Sequence, residues 1–118
     1  MNAKEIINKL NLTPHPEGGY FKETYRASEI TNNSENQTRN ISTAIYFLLT
    51  NKDKSHFHRI KSDEIWFHHL GETVEILIFQ NNKLKKYLLG DNIDKGENPQ
   101  VVIPKNCWFA AHIKNKIN

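Results

Sequence analysis

Cysteine is nearly absent from this chain: Cys107 stands alone among 118 residues. No intrachain disulfide can form, and nothing points to an oxidising compartment. Cys107 lies between Asn106 and Trp108 with no CxxC partner, so a small buried or half-buried thiol is expected there rather than a nucleophile. Long apolar runs are missing too. No stretch approaches the length of a membrane span, and the opening Met1-Asn2-Ala3-Lys4-Glu5-Ile6-Ile7 lacks the apolar region of a signal peptide, so a cytoplasmic protein without membrane association is expected. A charge excess of one sign is also lacking, since 16 basic against 13 acidic residues leave only +3. Lys83, Lys85 and Lys86 cluster beside Asn81-Asn82, which reads as a solvated hairpin tip and not as the broad basic footprint of a nucleic-acid binder.

What is present suits one folded domain spanning residues 1–118. A hydrophobic fraction of 37% with 10% aromatics is that of a globular chain rather than a disordered one, and the length allows one modest core. Ile6, Ile7 and Leu10 recur at helical spacing ahead of Thr13-Pro14, which predicts one amphipathic helix over residues 2–10. After it come short segments rich in β-branched and aromatic residues, separated by Gly, Asn, Asp or Pro: 20–26, 42–49, 56–58, 64–69, 74–79, 83–89, 100–103 and 108–113. That pattern predicts an all-β sandwich or barrel and argues against a parallel α/β sheet. The polar stretch 29–40, with Asn32-Asn33-Ser34-Glu35-Asn36 inside it, reads as a mobile loop.

The densest chemistry lies in Ser55-His56-Phe57-His58, continued by Asp63-Glu64-Ile65-Trp66-Phe67-His68-His69 and closed at Gly71. Strand side chains alternate, so His56 and His58 are expected on one face. With Glu64 they supply two neutral nitrogens and one oxygen, the donor set of a two-histidine, one-carboxylate metal site holding a divalent transition metal. The same groups would also serve as a general base and its orienter without any metal. By the same alternation Trp66 and His68 share Glu64's face. Along Ser42 to Phe47, one face carries Ser42, Ala44 and Tyr46, and the other carries Thr43, Ile45 and Phe47. The apolar face is expected to be core, leaving Tyr46 as a pocket phenol. Gly18-Gly19 reads as turn chemistry, with His15 and Glu17 capping or pairing locally. Trp66 and Trp108 read as core or dimer-interface residues, and Arg26 and Arg39 as exposed arginines with no particular ligand.

These blocks carry a family resemblance. The His-x-His, Glu, Gly series resembles the first motif of the cupin superfamily, with Gly96 through Pro104 to Phe109 where the second would be. His15-Pro16-Glu17-Gly18-Gly19-Tyr20-Phe21, then Ser42 to Leu49, then Ser55 to His58 and Asp63 to Trp66, resemble in that order the small single-domain Cupin-5 family, whose function is unknown. The resemblance covers the chain from about residue 5 and implies an RmlC-like jelly roll, a double-stranded β-helix usually paired as a homodimer. Cupins that hold a metal commonly take a further histidine from the second motif, but Phe109 stands near that place, and His112 is too far along the strand to replace it. The spacing from His58 to Glu64 is also one residue longer than the commonest cupin pattern. The resemblance further implies strands after Trp108-Phe109-Ala110-Ala111, whereas the chain ends at Asn118. The expectation is therefore a jelly roll lacking its last strands, with a partner subunit covering the exposed edge.

The resulting functional expectation is a cupin that binds a small polar molecule in its barrel. One form is a sugar-type isomerase or epimerase, by analogy with sugar-epimerising cupins: His56 or His58 removes a proton, Glu64 orients that imidazole and Tyr46 donates a proton, with Trp66, His68 and Phe109 lining the pocket. The alternatives are a metal-dependent oxygenase or isomerase on His56, His58 and Glu64, and a ligand-binding module without chemistry.

Overall fold

The computed structural model describes residues 1–32 and 35–114. The chain divides into two compact units, one of Met1–His15 with Tyr20–Leu48 and the other of Pro16–Gly19 with Leu49–Asn118. The expectation about final strands falls on the chain's end, outside the described residues.

The first unit opens with helix α1, Ala3–Leu10. Asn2 caps it by accepting from the Glu5 N–H at 2.9 Å while Glu5 reaches back to the Asn2 N–H, a reciprocal pairing that satisfies two orphan donors. The helix ends at Asn11, which adopts the left-handed conformation and sends its N–H to the Ile7 carbonyl, ahead of the proline expected to stop it. Strands β1 (Thr13–Pro14), β2 (Tyr20–Arg26) and β5 (Thr43–Leu48) form one antiparallel sheet in the order β1-β2-β5. Strands β3 (Ile30–Asn32) and β4 (Thr38–Asn40) form a separate hairpin inside the stretch expected to be a loop. Arg26 fastens that hairpin by donating to Asn40 Oδ1 at 2.7 Å and to the Glu23 carboxylate, and Asn40 donates to the Ala27 carbonyl. The ion pair with Glu23 raises the Arg26 pKa further. The expectation of a buried face on β5 also fails: Ile45 is 45% and Tyr46 44% exposed, and Leu12 and Ala27 are the buried hydrophobic residues of this unit. Phe47 of the same face is half-buried, so only part of the expected face is covered.

The second unit carries the main core. Strands β6 (Ser55–Arg59), β11 (Trp108–Ile113), β8 (Val74–Gln80) and β9 (Lys83–Leu89) make a four-stranded antiparallel sheet in the order β6-β11-β8-β9, and β7 (Glu64–Phe67) pairs with β10 (Gln100–Ile103). Ile76, Ile78, Phe109 and Ala111 of the larger sheet meet Val101 and Ile103 of the smaller in one buried cluster, so the two sheets pack as a sandwich. Ile76, Ile78, Ile103 and Phe109 are its fully buried side chains, each worth about 1.5–3 kcal/mol relative to exposure. The β8–β9 connection is the tight hairpin its sequence suggests: Asn81 and Asn82 have φ of 55° and 62°, the positive values a two-residue primed turn requires and asparagine tolerates. Cys107 is buried, as expected.

One buried carboxylate ties the loops of this unit together. Glu97, 8% exposed, accepts from the Thr73 hydroxyl at 2.8 Å and from the Asn92 N–H at 3.0 Å. The Thr73 bond first, then the Asn92 bond, holds its pKa below the ordinary 4.5. A carboxyl whose folded pKa is depressed contributes stability above its unfolded value and loses it as pH falls through the folded one. Urea melts at a series of pH values should show wild type more stable than Glu97→Gln at neutrality, with the gap closing below pH 4.5. A gap independent of pH would mean that the ionised form contributes nothing.

Candidate functional site

The site is assembled from β6, β7 and β11, all in the second unit. The start of β6 is clasped by the Pro16–Gly19 segment: the Glu17 carbonyl accepts from the His56 N–H at 2.8 Å, and Gly18, at φ +108°, lies so close that an added Cβ would stand 1.9 Å from the Lys54 carbonyl oxygen. Gly18 is thus needed for close approach and Gly19 for its φ of 77°, as the turn reading expected. Within the first unit, the His15 ring packs edge-on against Phe21 and Phe47, with centroids 4.9 and 5.4 Å away.

His58 is half-buried and its Nδ1 lies 2.7 Å from the His56 carbonyl oxygen. A carbonyl only accepts, so this bond requires the proton on Nδ1 and leaves the Nε2 lone pair as the basic atom. The ring rests on Phe109, centroids 4.3 Å apart, and Phe109 is the residue opposite His58 across β6 and β11. Glu64 and Trp66 stand opposite Ile103 and Val101, both buried, so their side chains share the core-facing side of β7. The Trp66 indole N–H donates to Glu64 Oε1 at 2.8 Å, and its ring meets Phe109 edge-on with centroids 6.1 Å apart. Phe109 therefore joins the histidine side of the interior to the carboxylate side.

The other expected residues stand as follows. His56 is solvent-exposed. Phe109 pairs with His58 but Ala111 with Ser55, so β6 carries one extra residue between them, and this bulge breaks the alternation from which a shared face for His56 and His58 follows. Ser55, 2% exposed, takes the inner place instead. His68 is half-buried, with Nε2 turned to the Glu72 carbonyl at 3.2 Å. Tyr46 belongs to β5 of the first unit, opposite Lys22. His112 Nε2 lies 3.3 Å from Glu75 Oε1, and the other oxygen of Glu75 lies 3.9 Å from the Lys86 ammonium. Among the described residues no three His, Cys, Asp or Glu side chains gather closely enough to hold a metal ion, so His56, His58 and Glu64 as they stand do not form the three-donor site their spacing suggests. Missed altogether were the Asp63 carboxylate that accepts from the Lys105 N–H at 2.9 Å, and a carboxamide-rimmed cleft between β9 and β10. Neither leaves a motif, because the partners are far apart in sequence. Among the described residues no helix is long and apolar enough to cross a membrane.

Comparison with known proteins fits this architecture. Residues 4–117 match the family model described as "Cupin superfamily (DUF985)". The uncharacterized protein YML079W of Saccharomyces cerevisiae is 32% identical over 123 residues, covering 95% of this chain and 61% of that protein; the chain thus spans about three fifths of that curated relative's length. Among solved structures, a hypothetical protein from Leishmania major superposes with a TM-score of 0.89 at 32% identity, covering 94% of this chain and 69% of that one. Protein SO0799 from Shewanella oneidensis gives a TM-score of 0.89 at 34% identity, covering 98% and 72%. With one N-terminal helix, a mostly β architecture and a family match through nearly its whole length, the chain belongs to the cupin superfamily, in the family of unknown function DUF985.

Proposed function

We propose that this cupin binds a small polar molecule against the interior face of its sandwich, with His58 as the acid–base group. The observation that carries the reading is the fixed tautomer of His58. Its Nδ1 is committed to the His56 carbonyl, so Nε2 is left to take a proton from a bound molecule. Glu64, held by Trp66, would orient that molecule. In a sugar-type isomerase or epimerase, Nε2 would take the proton from a carbon next to a carbonyl, leaving an enolate and an imidazolium. The imidazolium would return that proton to the neighbouring carbon while the proton of the hydroxyl there passes to the enolate oxygen, which completes an isomerisation; an epimerisation would take its new proton from water on the other face. Tyr46 has no part in this reading, and His56 contributes its carbonyl. A module that binds without turnover would use the same contacts.

His58→Gln tests it. The side chain is half-buried, so the variant should fold with a loss within about 1 kcal/mol. Small molecules that co-purify with wild type, identified by mass spectrometry, should be absent from the variant. A loss of about 1 to 3 kcal/mol with ligand retained would instead mark a packed structural histidine. One equivalent of iron, manganese, nickel or zinc after reconstitution would replace the acid–base reading with the metal-dependent one.

We also propose that the chain pairs as a homodimer. Ile65 and Val102 stand opposite each other on the outer side of β7 and β10, and with Phe67 they are 53%, 56% and 52% exposed. Apolar area of this kind next to open strand edges is stabilised by association, most simply across a two-fold axis. Light scattering should return twice the 13.8 kDa chain mass, and a monomer at micromolar concentration would contradict it.

A further inference from the structure

Two polar side chains are buried among the described residues, Ser55 and Glu97. Glu97 has its partners in Thr73 and the Asn92 N–H. The Ser55 hydroxyl makes no hydrogen bond to another protein group among the described residues. A buried hydroxyl without a partner is rare, because it has lost its hydration and gained nothing in exchange. Among the described residues, every side-chain oxygen and nitrogen fully sealed from solvent has a partner, so the unpartnered Ser55 oxygen still borders space that a water-sized group can enter. We propose that Ser55 is a further catalytic residue: its hydroxyl holds the carbonyl oxygen of the molecule that His58 deprotonates, an α-hydroxy aldehyde or ketone, and stabilises the enolate that forms. This rests on the acid–base reading of His58 given above.

Strand register sets the two groups side by side. Ser55 stands opposite Ala111 and His58 opposite Phe109. Ala111 and Phe109 both belong to the buried cluster, so Ser55 and His58 share the interior face of β6. The extra residue that leaves His56 exposed is what brings Ser55 inward. Two steps along β11 separate their partners, about 7 Å. That distance holds one C–C=O unit with a contact of about 3 Å at each end, His58 Nε2 on the hydrogen-bearing carbon and Ser55 Oγ on the oxygen. The place opposite His58 is filled by the Phe109 ring, centroids 4.3 Å apart, whereas Ala111 opposite Ser55 ends at Cβ. Side-chain volume is therefore lowest beside Ser55.

The chemistry needs a donor at that point. Loss of the proton moves an electron pair onto the carbonyl oxygen, and the developing charge is stabilised by a hydrogen bond already in place. His58 cannot give one, because its Nδ1 proton is on the His56 carbonyl. The Trp66 N–H is on Glu64, and the Glu64 carboxylate only accepts. Of the polar side chains on the interior faces of β6, β7 and β11, Ser55 alone has a proton left to donate. The hydroxyl keeps that proton throughout; in an isomerisation the proton taken by Nε2 is the one returned to carbon. Its backbone is fixed beforehand, by the ladder to Ala111, by the bond from the His56 N–H to the Glu17 carbonyl at 2.8 Å, and by Gly18, whose added Cβ would lie 3.6 Å from Ser55 Cα.

Exchange of carbon-bound protons in heavy water, followed by proton NMR of dihydroxyacetone, glyceraldehyde and fructose with the full chain, tests the proposal. Wild type should exchange the proton next to the carbonyl of at least one probe faster than the protein-free solution does. Ser55→Ala should slow that exchange about 100-fold or more, the usual effect of removing one donor to an oxyanion. Its urea melt should match wild type or lie higher, because the hydroxyl removed has no protein partner. His58→Gln should abolish exchange whether or not Ser55 takes part. Exchange by Ser55→Ala at the wild-type rate overturns the proposal, and the His58 reading stands if His58→Gln is inactive. Slower exchange that comes with a loss of stability in Ser55→Ala also overturns it, marking a structural hydroxyl. Exchange absent from wild type, or undiminished in His58→Gln, overturns the reading of His58 and this proposal with it.

Discussion

Gly18→Ala should cost the second unit at least about 3 kcal/mol, or prevent it from folding, through one added methyl group. The Cβ would stand 1.9 Å from the Lys54 carbonyl oxygen and 3.0 Å from its carbon, and the residue already has φ of +108°. Both obstacles are backbone, so no side-chain rotation relieves them. Either the Pro16–Gly19 segment or the start of β6 must move, and either shift breaks the bond from the His56 N–H to the Glu17 carbonyl. Gly71→Ala is the control: its φ is +89° with no atom within 4 Å of the added carbon, leaving only the conformational cost of about 1 kcal/mol. Urea denaturation of both variants makes the comparison. Equal, small losses would mean that the close approach at Lys54 does not constrain the fold. A larger loss at Gly18 would tie the glycine pair to the site, since the same clasp positions the strand whose His56 carbonyl orients His58.

Local rules read most of the second unit's strands. Lys83–Leu89, Gln100–Ile103 and Trp108–Ile113 fall at their expected bounds, because alternating β-branched and aromatic residues flank turn residues whose backbone needs are specific, Asn81 and Asn82 above all. Other features lie beyond such rules. The β3–β4 hairpin is built from Ile30-Thr31-Asn32 and Thr38-Arg39-Asn40, which is too polar for a periodic signal, and Arg26 and Asn40 fasten it from positions no pattern links. On β5, alternation separates two faces but says nothing of what covers them, and Ile45 remains exposed.

The candidate site divides in the same way. Glu64 and Trp66, two residues apart on a regular strand, share a face and a hydrogen bond, as parity requires. His56 and His58 are also two apart, but the extra residue in β6 opposite Phe109 and Ala111 defeats the same rule. A bulge of this kind depends on the partner strand's register and leaves no mark on the bulged strand.

Phe109→Ala should destabilise the protein by about 3–5 kcal/mol, the range for an aromatic side chain removed from a packed core. Phe109 is fully buried, lies opposite Ile78 on β8 and His58 on β6, and touches the rings of both His58 and Trp66. Its loss would open a cavity and also remove the wall against which His58 is held. Phe109→Leu separates the two effects, since leucine refills much of the volume at a cost of about 1.5 kcal/mol or less but supplies no ring. In the His58 side-chain NMR spectrum, both variants should lose the shift imposed by a neighbouring aromatic ring. Only Phe109→Ala should also lower the melting temperature steeply. Should Phe109→Leu leave the His58 resonances unchanged, the ring contact at 4.3 Å would not hold in solution. Phe109 would then be core packing alone, with the orientation of His58 left to the His56 carbonyl.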